Sequence, residues 1–101
     1  MIAQEPSRSD TSRTLMIVAT AYTYTGHRTY TGTVPSRGTV AVDPRVIPLG
    51  SILLIEGKKY VAEDTGRDIK NNRIDIFLTS RSACLTWGRR VVVVKIEGEA
   101  K

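Results

Sequence analysis

The sequence predicts a small closed β-barrel of six short strands and one short helix. Three observations carry this reading. Apolar residues recur with period 2 or in short continuous runs, not at the 3.6-residue spacing of an amphipathic helix. Gly, Pro and Asp separate the runs, as turns between strands require. Only one segment has helical character. Closure into a barrel is expected because short strands in an open sheet would leave unpaired edges.

Residues 1–14 are polar, with Pro6 and several serines, and read as a flexible N-terminal tail. The folded domain, residues 15–101, starts at Leu15. Leu15 to Tyr24 is rich in β-branched and aromatic residues and forms the first strand. Gly26 to Arg37 is a Thr- and Gly-rich loop. Thr39-Val40-Ala41-Val42 is a short strand stopped by Asp43-Pro44. Ser51 to Ile55 is a strand, Glu56-Gly57 a turn, and Lys59 to Glu63 the next strand. Ile74 to Leu78 follows. Ser80 to Trp87 is the helix, with Ser80 or Ser82 as its cap and Gly88 as its end. Arg90 to Ile96 is the last and most apolar strand.

A chain of 101 residues holds one domain. With 41% hydrophobic and 25% charged residues it is not a disordered chain. No apolar run reaches the roughly 18 residues of a membrane helix, so no transmembrane segment is expected. The Leu15-Met16-Ile17-Val18 run is too short for the core of a signal peptide. Cys84 is the single cysteine, which excludes an intrachain disulfide and a cysteine-based zinc site. The net charge of +5 favours polyanions of some kind. Nucleic acid is not the expected one, because aromatics are only 6% of residues and too few to stack on bases beside a basic patch. A domain this small has no room for a large internal cavity, so a ligand belongs in a surface groove.

Three aspartates stand at or in strands, where aspartate is depleted. Asp43 follows Val40-Ala41-Val42, and Asp64 ends Val61-Ala62-Glu63. Both precede turn residues, and ordinary turn chemistry accounts for them. Turn chemistry does not account for Asp75, which lies between Ile74 and Ile76. Alternation places it on the face of Arg73 and Phe77. A desolvated carboxyl beside other carboxylates has a raised pKa and serves as a general acid, as cleavage of a glycosidic bond requires. Three aspartates also suit calcium, but no compact ligand loop is present. No metal or cofactor is expected.

Taken in order, Thr20-Ala21-Tyr22, Gly38 to Pro44, Ile47-Pro48-Leu49-Gly50, Ala62 to Gly66, Ile69-Lys70, Arg73 to Ile76 and Trp87 to Arg90 resemble the three-aspartate (3D) domain family. That family includes the barrel of membrane-bound lytic transglycosylase A and the stationary-phase survival proteins. The resemblance covers residues 18–96. It implies a double-psi β-barrel. It also implies lytic cleavage of the bond between N-acetylmuramic acid and N-acetylglucosamine in peptidoglycan, hence a cell-envelope or secreted location. By the same match Asp75 is the catalytic acid and base, Asp64 its neighbour, and Asp43 a barrel-organising residue at the groove. Thr65 and Gly66 belong to the Asp64 motif. Tyr22 and Thr31 match groove-lining positions, although buried structural roles fit them equally. Lys70 reads either as a ligand for a substrate carbonyl or carboxylate or as a solvated loop residue.

Trp87 reads as core, His27 as an exposed loop residue and Arg89-Arg90 as a solvated edge. Arg67, Asp68 and Asn71 stand where the family carries glycine or small residues. Asn71 or Asn72 adopts positive φ at modest cost. The alternative to an enzyme is a non-catalytic cell-wall binding module of the same fold. A monomer and a dimer with a swapped N-terminal segment both fit the sequence.

Overall fold

The computed structural model describes residues 13–99. The elements are β1 (Arg13–Tyr22), β2 (Thr39–Ala41), β3 (Ser51–Ile55), β4 (Lys58–Asp64), β5 (Arg73–Phe77), α1 (Arg81–Trp87) and β6 (Arg90–Glu99). The strands close in the order β1-β5-β2-β4-β3-β6, with β6 returning to β1. β1 with β5 and β2 with β4 are parallel, and the other contacts are antiparallel. This is the closed six-stranded barrel with one helix that the sequence predicts. Its two parallel pairs, side by side in the barrel, are compatible with a double-psi arrangement.

Pairing sets the strand ends. β1 includes Arg13 and Thr14, which pair with Ile96 and Lys95 of β6. It stops at Tyr22, the partner of Phe77 at the end of β5, and not at Tyr24. β6 continues past Ile96 because Ile52 and Ser51 pair with Gly98 and Glu99. The rest of the expected tail, residues 1–12, lies outside the described residues.

Alternate residues of each strand fill the barrel. Ile17 and Ala19 of β1, Leu53 and Ile55 of β3, Ile74 and Ile76 of β5, and Val92 and Val94 of β6 are all buried. Ile17 lies opposite Val92, and Ile76 opposite Val40. Each fully buried isoleucine stabilises the fold by about 1.5–3 kcal/mol. Helix α1 packs outside against β1. Ser80 Oγ accepts the Ala83 N–H at 3.1 Å, and Gly88 (φ 67°) ends the helix. The indole N–H of Trp87 donates to the Ala19 carbonyl at 3.1 Å. Arg90 is not merely a solvated edge. Its guanidinium lies 3.9 Å from the Trp87 ring centroid and donates twice to the Trp87 carbonyl, at 3.2 Å. These contacts join the helix end to β1 and β6.

Ile76 is a fully buried core residue and the neighbour of Asp75 in β5. Ile76→Ala is expected to lower stability by about 2–5 kcal/mol, read from urea unfolding with an unchanged m-value.

Candidate active site

The site is built from strand register. Ala41 of β2 is the partner of Asp64 in parallel β4 and of Asp75 in antiparallel β5. At the usual strand spacing the two aspartate Cα atoms are roughly 10 Å apart, on either side of Ala41. The β2–β4 register slips here, for Val40 faces Ala62 but Ala41 faces Asp64. Glu63 is the extra residue. Without the slip, alternation would send Asp64 inward after Ala62; the bulge keeps it on the outer face with Asp75. Thr20 of β1 is the partner of Asp75 on its other side.

Asp75 is half-buried between the inward Ile74 and Ile76. Burial raises its pKa above the usual carboxylate value. The Thr20 hydroxyl and the Arg73 charge pull it down, and the charge of Asp64 adds a smaller push upward. Thr20 Oγ1 donates to Asp75 Oδ1 at 2.9 Å, which fixes the rotamer. Asp64 is held from three directions. The N–H groups of Tyr30 and Thr65 donate to Oδ1, each at 2.9 Å, and the Tyr22 hydroxyl donates to Oδ2 at 3.2 Å. To reach Asp64 from β1, the Tyr22 side chain spans the face of β5 and β2. Its ring meets Phe77 edge-on, with centroids 5.6 Å apart. Burial and the neighbouring Asp64 charge raise the Tyr22 pKa, so the phenol stays a donor.

Asp43 is not part of this acidic face. Its side chain is 1% exposed, and both oxygens are already bonded. Oδ1 accepts from the Arg45 backbone N–H (3.0 Å) and Nε (3.1 Å). Oδ2 accepts from Arg45 Nη2 (2.7 Å) and the Asn71 N–H (2.8 Å). The arginine and these backbone donors hold the carboxyl well below its ordinary 3.8. Asp43 therefore offers no free oxygen to a ligand; it ties the turn after β2 to the loop before β5. Asn71 makes its bond at φ 58°, the positive value expected of Asn71 or Asn72.

The other expected residues line a neighbouring surface. Thr65, Gly66 and Lys70, with Tyr30, Pro44, Leu49 and Arg67, line a shallow pocket of about 420 Å³. Gly66 is also there for packing, since a Cβ would meet Ile69 Cγ1 at 2.7 Å. Thr31 is exposed; its N–H donates to the Glu63 carbonyl at 3.1 Å, and its hydroxyl lies 3.2 Å from that of Thr29. It anchors the long loop onto β4. His27 is exposed, and Trp87 packs on the helix side. Thr20, Arg73 and Tyr30 are the residues to which sequence reasoning gave no site role. Thr20 shares the face of Tyr22 two residues on, but only the β1–β5 pairing reveals its partner. Arg73 Nε is a buried donor with no partner among the described residues. No group of three His, Cys, Asp or Glu suited to a metal ion is found among the described residues.

The 3D domain family matches residues 38–97, a span that contains all three aspartates. "Putative cell wall shaping protein YabE" of Bacillus subtilis (strain 168) is 41% identical over 100 residues, covering 89% of this chain and 24% of that protein. "Cell wall-binding protein YocH" of the same organism is 38% identical over 104 residues, covering 94% of this chain and 36% of that protein. The chain thus spans about a quarter to a third of the length of these relatives. Among solved structures, the E. coli lytic transglycosylase MltA aligns with a TM-score of 0.62 at 22% identity. The alignment covers 77% of this chain and 29% of that one, and the likeness is one of fold.

The Asp43 clamp has a pH signature. Its folded pKa lies below the unfolded value of 3.8, so its contribution is present above that value and is lost as pH falls below it. Wild type is expected to lose thermal stability on acidification below about pH 4. Asp43→Ala should melt lower at neutral pH and show a flatter acid limb. Equal acid limbs in the two proteins would show that Asp43 does not anchor the loops.

Proposed function

The chain belongs to the 3D domain family, and on that premise we propose that it is a peptidoglycan lytic transglycosylase acting in the cell envelope. The observation that carries this reading is Asp75, a half-buried carboxyl with a raised pKa, held by Thr20 on an open face beside a fixed Asp64. A relative named as a cell wall-binding protein and the fold of a lytic transglycosylase support the same substrate.

The chemistry follows from one carboxyl. Protonated Asp75 donates its proton to the glycosidic oxygen between N-acetylmuramic acid and N-acetylglucosamine, and the C1–O bond breaks. Positive charge develops at C1 of the muramic residue. The Asp64 carboxylate, already aligned by Tyr22, Tyr30 and Thr65, favours that charge without reorganising. The Asp75 carboxylate then takes the proton of the C6 hydroxyl as its oxygen bonds to C1. The product carries a 1,6-anhydro ring, and Asp75 is again protonated. No water is consumed, so no second carboxylate has to position one. The nucleophile belongs to the substrate and has the advantage of proximity. Thr65, Gly66 and Lys70, with the exposed Tyr30 ring, form the adjoining surface for the glycan.

A second reading keeps the substrate and drops the reaction. A relative that matches 94% of this chain is named for cell-wall binding, which favours a binding module.

Digestion of purified peptidoglycan separates the two. Wild type is expected to release muropeptides with 1,6-anhydromuramic ends, identified by mass spectrometry as one water lighter than hydrolysed ends. Asp75→Asn should reduce the rate roughly 10²–10⁴-fold. If neither protein releases product while both bind insoluble wall, the binding module is the correct reading.

The activity is also expected to decline as pH rises through the pKa of Asp75, since the proton donor is lost. Thr20→Val removes the hydrogen bond that lowers this pKa. The alkaline limb of the pH–rate profile should therefore move to higher pH. An unmoved or lowered limb would exclude Asp75 as the titrating acid.

A further inference from the structure

Beyond the acidic face lies a second recess that none of the expected site residues lines. It has a volume of about 390 Å³. Three segments form it: Arg37 and Gly38 before β2, Lys58 to Tyr60 after the β3–β4 turn, and Phe77 to Thr79 with Ala83 between β5 and α1. Its walls carry three cationic side chains and no acid. Tyr60, Phe77, Leu78 and Ala83 supply an apolar floor. Among the described residues Arg37 and Lys58 make no ion pair, and Lys59 makes only a long one, 3.9 Å to Glu97. Two acids stand close by: Glu63 lines the adjoining recess, where its Oε1 already accepts from Thr33 and Thr39, and Glu56, whose charge reaches Tyr60, is paired with Arg90 at 3.7 Å.

The position of this recess matters as much as its charge. Phe77 is shared between the two sites: it lines the basic recess and packs edge-on against Tyr22, which holds Asp64. A polymer that crosses Asp75 and continues along β5 to Phe77, two residues on, reaches the basic recess. The acidic face suits the neutral sugar backbone and repels anionic appendages, whereas the recess attracts them.

We infer that the recess formed by Arg37, Lys58 and Lys59 over Phe77 and Leu78 binds the carboxylate-bearing peptide that branches from the glycan. This rests on peptidoglycan being the substrate. The peptide leaves the muramic residue through its lactyl ether, so it extends sideways from the chain that is cut. Carboxylate meets the three cations, and aliphatic side chains of the peptide cover the apolar floor. The sugar chain alone fills only one of the two sites, and a strand bearing peptides engages both. Occupation of both sites orients the strand on Asp75.

The test is a ¹⁵N NMR titration of the full chain carrying Asp75→Asn, so that no turnover is needed. The probes are a muramyl dipeptide with a free carboxylate, the same compound amidated, and a short polyglycerol phosphate. The carboxylate probe is expected to shift the amides of Leu78, Thr79 and Ala83. Amidation should weaken binding at least tenfold, and so should Arg37→Ala/Lys58→Ala/Lys59→Ala, whose three sites are exposed. Equal binding of the amidated probe would overturn the inference, as would shifts confined to the Asp64 and Asp75 face. Tighter binding of the polyphosphate in the recess would also overturn the assignment to a peptide carboxylate. Anhydro products from a wild type that fails this titration would leave the catalytic reading standing and remove only the recess.

Discussion

Everything at the candidate site depends on where three residues of β2 sit. The strand is short, wholly buried and paired on both sides, with parallel β4 on one edge and antiparallel β5 on the other. Its inward Val40 packs into the core, and its outward Ala41 is the common neighbour of Asp64 and Asp75. A shift of β5 by one residue would point Asp75 into the barrel and Ile74 or Ile76 out of it. The hydrophobic core thus enforces the position of the acid. Burial of several isoleucines is worth far more than the desolvation of one carboxyl, so the fold tolerates Asp75 where aspartate is disfavoured.

The three aspartates share a chemistry but not an environment. Asp43 is enclosed by an arginine and backbone donors, which keeps it ionised and structural. Asp64 accepts three hydrogen bonds and stays fixed at the end of β4. Asp75 has a single hydroxyl partner and an apolar surrounding, so its neutral form is favoured relative to an ordinary carboxyl. A proton donor and a charge stabiliser on the same surface need unequal surroundings of this kind. Asp43 reaches the site only through the backbone: its bond to the Asn71 N–H positions the loop that leads into Asp75.

Strands were legible in the sequence because each is a local pattern. Period-2 alternation and turn residues locate all six to within a few positions, and Ser80 and Gly88 locate the helix. What was not legible is pairing. Nothing local says that β1 lies parallel to β5, so Thr20 could not be read as the partner of Asp75. The slip at Ala41 is likewise invisible, because Ala62-Glu63-Asp64 reads as a regular strand end. The burial of Asp43 was hidden because Asp-Pro looks like an ordinary turn, and its bond to Asn71 joins residues 28 positions apart. Arg90 was misread for a related reason: its stacking on Trp87 depends on how α1 returns the chain to β6.

An open face on so small a barrel constrains any reaction performed there. The barrel by itself cannot enclose a substrate and exclude water from all sides, which would penalise a hydrolase that must also position a nucleophile. A reaction whose nucleophile is carried by the sugar itself avoids that requirement, because ring closure competes with water by proximity. What the surface must then supply is orientation of a long, regular polymer. Repeated contacts along the polymer provide that more readily than a deep pocket does. Phe77, which lines the basic recess, packs edge-on against Tyr22, and Tyr22 in turn holds Asp64. Surfaces of opposite charge thus lie near one another on a face set by the register of a three-residue strand.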